Sequence, residues 1–161
     1  MALSPLVLRQ ATPADAAQLA RLRHLMVQSM GLATDADTGW IPAATAYFRQ
    51  TLAGGSLVGV VVEHDGSLVS CGVIEFKQRV PSPWNPSGTY AYISSMSTDP
   101  LWRRRGCARA VLDELVREAR RRGVHRVELH ATADGAPLYR AVGFLSPVSG
   151  EEMRLELTPA R

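Results

Sequence analysis

At 161 residues the chain is long enough to bury one sizeable core and too short to support two, and with 46% hydrophobic and 20% charged residues it lies far from the composition of disordered chains. Lys and Arg number 18 against 15 Asp and Glu, for a formal charge of +3, a mild excess that suits an anionic small ligand as well as nucleic acid and by itself excludes neither. Cys71 and Cys107 lie far apart and the four histidines have no metal-ligand spacing, which excludes a disulfide framework and a zinc motif.

In chain order, residues 6–8 form a short β-rich run, and Thr12-Pro13-Ala14-Asp15 offers a capping hydroxyl, a proline for the first helical position and a first-turn carboxylate. The spacing of Leu19, Leu22 and Met26 predicts a helix from Pro13 to about Met30, stopped by Gly31. A loop over 32–42 and a short helix over 43–52 follow. Residues 56–63 and 67–76 are rich in Val, Leu and Ile and flank His64-Asp65-Gly66, which predicts an antiparallel hairpin. Pro81, Pro83 and Pro86 around Trp84 make 79–88 an irregular loop. Residues 89–98 read as a strand ended by Asp99-Pro100. Residues 106–122 read as an amphipathic helix with Asp113/Arg117 and Glu118/Arg122 as surface pairs, ended by Gly123. A strand over 124–131, a helix over 136–141 and a last strand over 153–157 complete the order β-α-α-β-β-β-α-β-α-β. The expected fold is α/β, one domain over 1–161 with a mixed sheet and helices on both faces.

No apolar run approaches the roughly 18 residues that span a bilayer, and MALSPLVLRQ lacks a basic region followed by a long apolar one, so a cytoplasmic protein without membrane contact is expected. Nine arginines crowd between positions 103 and 126, yet no helix-turn-helix or RNA-binding motif accompanies them, so a nucleic-acid partner is not expected.

The chemistry concentrates where a strand turns into a helix, at Arg103, Arg104, Arg105, Gly106, Cys107 and Ala108. A helix N-terminus presents unpaired amides and the positive end of the helix dipole, which together hold a pyrophosphate, and small residues keep those amides accessible. Arg103, Gly106 and Ala108 match the pattern Arg/Gln, two residues, Gly, one residue, Gly/Ala. This resembles the acyl-CoA signature of the GNAT superfamily of N-acetyltransferases. Leu138-Tyr139-Arg140-Ala141-Val142-Gly143-Phe144 is similar to the family's LY-x-x-x-GF segment, and the order of elements fits the family over nearly the whole chain.

The resemblance implies a GNAT-like mixed sheet and acetyl-CoA as acyl donor. The backbone of Met96, Ser97 and Thr98 would bind the pantetheine arm in a gap between the fourth and fifth strands, with an amide near Met96 as oxyanion donor. Tyr139 would donate a hydrogen bond to the leaving thiolate. Trp40, Tyr47 and Trp84 fall in segments that wall the acceptor site, and Arg109 or 120–122 could approach the adenosine 3′-phosphate. Glu75 interrupts the apolar run 71–76 near the expected cleft and is the candidate base for the amine, with Ser94 and Ser95 able to order a water. Cys107 has no evident His partner, which favours direct attack in a ternary complex over a covalent intermediate. The acceptor is a small-molecule amine or a peptide N-terminus, and the resemblance allows a homodimer. A non-catalytic acyl-CoA-binding regulatory module of the same fold is the rival reading, distinguished by cofactor binding without turnover.

Overall fold

Two runs dense in branched aliphatic residues fold back on each other at the centre of the sheet, β2 (Leu57–His64) pairing antiparallel with β3 (Ser67–Gln78). In the computed structural model, which describes residues 5–147 and residue 155, Asp65 and Gly66 between these strands have φ of 48° and 76°. Two consecutive left-handed residues are what a tight two-residue hairpin demands. β1 (Val7–Gln10) pairs antiparallel with β2, β4 (Thr89–Thr98) antiparallel with β3, and β5 (Val127–Leu129) parallel with β4, giving the order β1-β2-β3-β4-β5. Parallel neighbours require a crossover, which α3 (Cys107–Arg121) supplies.

α1 (Ala16–Ser29) and α2 (Ile41–Gly54) cover one face of this sheet. Their Leu19, Leu22 and Phe48 form one buried cluster with Leu57, Val61, Cys71 and Val73. Successive strand residues point to opposite faces, and Gly72 accordingly faces α3, where an added Cβ would stand 2.9 Å from both Val111 and Leu115. The mixed sheet covered on both faces agrees with the expectation from the sequence.

The differences are local. Pro13–Asp15 is a 3-10 turn and α1 starts only at Ala16. The Asp15 carboxylate accepts from the Thr12 amide at 2.7 Å and from Arg9 Nη1 at 2.8 Å. Those Arg9 hydrogen bonds hold this buried carboxyl below the usual value, against the upward push of burial. α2 begins two residues before position 43 because Pro42 fits a first-turn site, where its missing N–H has no helical acceptor. Residues 79–88 are not wholly irregular: Ser82 and Asn85 exchange backbone hydrogen bonds of 3.1 and 3.0 Å, and Arg79 N donates to Gly88 O. β5 is shorter than 124–131, because Val124 turns its amide back to Ala119 O at 3.0 Å and closes α3 instead of entering the sheet. The strand expected over 153–157 lies outside the described residues, apart from residue 155.

The chain divides into two compact units, Met1–His130 and Ala131–Arg161. The first holds the sheet and α1 to α3, and the second holds α4 (Ala136–Val142).

Candidate functional site

The site begins with a miscount between β3 and β4. One residue, Gly72, separates Cys71 from Val73, whereas two, Ser95 and Met96, separate their partners Ser97 and Ser94. The extra residue is a β-bulge, with Ser95 at φ 53°. Side chains from three elements pin it. Cys71 Sγ donates to Ser95 O at 3.3 Å, Arg23 Nη1 donates to Ser95 Oγ at 2.7 Å, and Ser97 Oγ donates to Leu22 O at 2.7 Å. β4 pairs with β5 only at Ala91, Tyr92 and Ile93. Among the described residues, 94–98 therefore have a strand partner on the β3 side alone.

The side chains of the three residues expected along the pantetheine arm point into the protein. Met96 Sδ lies beneath Gly72, Ser97 Oγ is bonded to α1, and Thr98 Oγ1 lies 2.8 Å from Ser70 Oγ. Any ligand along this edge would meet backbone.

After β4, Asp99 Oδ1 caps a short 3-10 turn by accepting from Leu101 N at 3.1 Å. The chain then passes through Arg104 at φ 62° and Gly106 at φ 81° into α3. Ala110 N donates to Gly106 O at 3.0 Å, so the amides of Cys107, Ala108 and Arg109 precede the helical ladder. A Cβ at Gly106 would meet nothing within 4 Å, so the space over the turn is open. Arg103 Nε donates to Thr98 O at 3.4 Å, and the Arg105 guanidinium stands 4.7 Å over the Trp102 ring. No acidic partner is recorded for these arginines among the described residues, in contrast to those farther along α3. Arg109 pairs with Asp113, Arg117 with Glu114, and Arg121 and Arg122 with Glu118. The expected Asp113/Arg117 pair is replaced because each has a closer partner on the same helix face. Four of the nine arginines are thus paired, with three carboxylates of α3, while the three at the turn keep their positive charge.

On the α1/α2 face, a cavity of about 300 Å³ opens at the bulge, lined by Arg23, Ala44, Tyr47, Phe48, Leu57, Val73, Glu75, Ser94 and Ser95. Glu75 Oε1 accepts from Tyr47 Oη at 2.9 Å, and Glu75 Oε2 pairs with Lys77 Nζ at 2.7 Å. Burial pushes the Glu75 carboxyl up, but the Lys77 and Tyr47 hydrogen bonds outweigh it and leave it below its ordinary value. The same bond to Glu75 raises the Tyr47 phenol. The cavity therefore carries an ionised carboxylate at neutral pH. Burial raises both thiols, Cys71 to about 12, so neither offers an activated thiolate.

Among the three aromatic residues expected to wall an acceptor, only Tyr47 lines this cavity. Trp40 precedes α2 with its ring 5.8 Å from His24, and Trp84 is 76% exposed on the 79–88 loop. Arg23 and Lys77 were not singled out from the sequence. Arg23 carried no signal, since a charge on an amphipathic helix reads as solvent-facing. Lys77 was legible in principle, because residues two apart on a strand share a face.

In the second unit, Gly143 at φ 111° ends α4, and Phe144 N returns to Tyr139 O at 3.1 Å. This brings Phe144 edge-on to Tyr139, ring centroids 6.1 Å apart. A Cβ at Gly135 would stand 3.1 Å from the Tyr139 ring. The LY-x-x-x-GF segment is thus a helix end that fixes a tyrosine, and burial pushes that phenol above its ordinary value.

A sequence profile of the Acetyltransferase (GNAT) family matches residues 21–144. The structure is similar to that of a predicted acetyltransferase from Clostridium acetobutylicum solved with acetyl-CoA, at 29% identity and a TM-score of 0.83, covering 93% of this chain and 96% of that one. It is also similar to a GCN5-related N-acetyltransferase from Ralstonia eutropha, at 26% identity and a TM-score of 0.81, covering 93% and 99%. An aminoglycoside N-acetyltransferase in complex with CoA shares the fold at 15% identity, with a TM-score of 0.73 over 96% of this chain and 97% of that one. No curated protein matches the chain.

Proposed function

Since this chain belongs to the acetyltransferase (GNAT) family, we propose that residues 1–161 act as one N-acetyltransferase domain, moving an acetyl group from acetyl-CoA to a primary amine by direct attack in a ternary complex. The observation that carries this reading is the end of β4–β5 pairing at Ile93, beside a bulge whose serines also line the cavity. An extended donor arm laid along β4 and an amine in the cavity would meet at Ser94 and Ser95.

The turn over Arg103, Arg104, Arg105, Gly106, Cys107 and Ala108 fits the donor's pyrophosphate. Its first-turn amides precede the helical ladder and its surface above Gly106 is open. The backbone of Met96, Ser97 and Thr98 is the proposed track for the pantetheine arm, and an amide near Met96 the proposed oxyanion donor. Acetyl-CoA supplies the acetyl group as a thioester.

Glu75 cannot readily deprotonate a free ammonium, because an amine near pKa 10.4 lies about six units above a carboxylate. Its role in this reading is to draw the amine to the cavity. The fraction of amine that has already released its ammonium proton to solvent is the form that attacks; Glu75 then accepts, directly or through a water, the second proton, which the nitrogen loses once its bond to carbon has made it acidic. The C–N bond forms, the C–S bond breaks, and the departing thiolate takes a hydrogen bond from Tyr139. Tyr139 is assigned by its place in the 138–144 segment. A phenol raised by burial keeps its proton at neutral pH and can donate it. With both thiols raised, direct attack needs no covalent enzyme intermediate.

The test is release of free thiol from acetyl-CoA across a broad panel of primary amines and peptide N-termini. Amine-dependent release is expected. CoA binding without release on any amine would refute transfer and leave a regulatory module.

A further inference from the structure

The cavity contains two opposite charges, Glu75 and Arg23, that share no hydrogen bond, although the Arg23 charge adds to the downward pull on the Glu75 carboxyl. Glu75 is taken by Lys77 at 2.7 Å and by Tyr47. Arg23 has five N–H donors, and its recorded partner among the described residues is the Ser95 hydroxyl, at 2.7 Å. Holding one serine uses one of those donors. Between the two charges the walls are apolar, from Phe48, Leu57 and Val73. A guanidinium beside apolar walls, with most of its donors unspent, matches a planar or tetrahedral oxyanion better than any neutral group.

We propose that the acceptor is a small zwitterionic amine whose carboxylate or phosphate is held by Arg23, while its nitrogen lies on the Glu75 side of the cavity. The amine half of this statement rests on the acetyltransferase reading; the anion half rests on Arg23 alone. Arg23 also grips the bulge residue, so the anion it binds lies beside the proposed reaction centre. This favours compounds in which amine and oxyanion are a few atoms apart. A volume of about 300 Å³ suits a molecule of amino-acid size.

The experiment compares kcat/KM, expressed per unprotonated amine because the anion also shifts the amine's pKa, for two matched pairs: leucine with leucinamide, and phosphoethanolamine with ethanolamine. The anionic member is expected to win by roughly 10- to 100-fold, the range of a hydrogen-bonded charge pair. In Arg23→Gln this ratio should collapse toward one, and Arg23→Lys should restore part of it. Whichever pair shows the ratio identifies carboxylate or phosphate as the anion. Equal use of both members by the native protein, or a ratio unchanged in a folded Arg23→Gln variant, would overturn the proposal.

A second arm needs no turnover. Isovalerate, isovaleramide and inorganic phosphate are titrated into the native protein and Arg23→Gln by calorimetry. Binding of either anion to the native protein, weakened at least tenfold in Arg23→Gln, would support the anion site even if no amine were acetylated, in which case only the transfer reading falls. Failure of both anions to bind the native protein, together with no anionic preference in turnover, would overturn the anion site itself. Should Arg23→Gln not fold, the native preference and native anion binding decide.

Discussion

Replacing Gly72 with alanine tests the link between packing and site. A Cβ there would overlap Met96 Sδ and stand 2.9 Å from both Leu115 Cδ1 and Val111 Cγ1, where nonbonded contacts settle near 3.5 to 4.0 Å. Met96 comes from β4 and the other two from α3, so no single rotation relieves all three. Val111 and Leu115 are fully buried and have no solvent to swing into. Overpacking of this kind costs about 1–3 kcal/mol, and the entropy that alanine removes from the unfolded chain returns roughly 0.4–1 kcal/mol. The net is a loss on the order of 1–2 kcal/mol, a fall in Tm of about 2–8 °C for a chain of this size. Because the residue displaced is Met96, next to the bulge, affinity for CoA should fall as well. Gly54→Ala is the control, since a Cβ there meets nothing within 4 Å and φ is unexceptional. Thermal melting and CoA calorimetry on both variants decide the matter. A Gly72→Ala protein that melts at or above the native temperature would refute the packing argument.

Glu75→Gln should lower kcat by about 10²-fold or more if the carboxylate takes the proton, while shifting stability by no more than about 1 kcal/mol, since the Lys77 pair is partly exposed. A few-fold loss would restrict Glu75 to holding Tyr47. Lys77→Met removes the strongest downward influence on the Glu75 carboxyl. Once kcat/KM is corrected for ionisation of the amine itself, the remaining native activity should be lost only as pH falls through that lowered value, and in the variant this limb should move to higher pH; an unmoved limb would detach Glu75 from the rate. Gly106→Val places a branched side chain at φ 81°, a strain on the order of 1–2 kcal/mol, in space that is open at the residue preceding the first-turn amides. Calorimetry should show CoA affinity falling at least tenfold, a loss of about 1.4 kcal/mol, and native affinity would move the pyrophosphate elsewhere. Tyr139→Phe should lower kcat with little change in KM for acetyl-CoA, and an unchanged kcat would remove Tyr139 from the chemistry.

What could be read from the sequence is what is local. The hairpin at Asp65-Gly66 follows from two adjacent residues that tolerate positive φ, and α3 follows from a periodic apolar stripe whose Val111, Leu112 and Leu115 are all fully buried. Glu75 was visible because a carboxylate in an apolar strand needs a partner. Its Tyr47 partner lies 28 positions away and carries no local mark of the pairing. Arg23 was invisible for the same reason, since its Ser95 contact spans 72 positions. The bulge is harder still. No residue type in Ile93-Ser94-Ser95-Met96-Ser97 announces it, because it is a difference between two residue counts on different strands. With β4 carrying one residue more than β3, the Ser95 carbonyl and hydroxyl and the Ser97 hydroxyl all find partners in Cys71, Arg23 and Leu22. The same surplus residue sits where pairing with β5 has ended and where two serines border the cavity. Deleting Ser95 should therefore damage donor and acceptor binding together, whereas substitutions at Gly106 or Arg23 should each damage one.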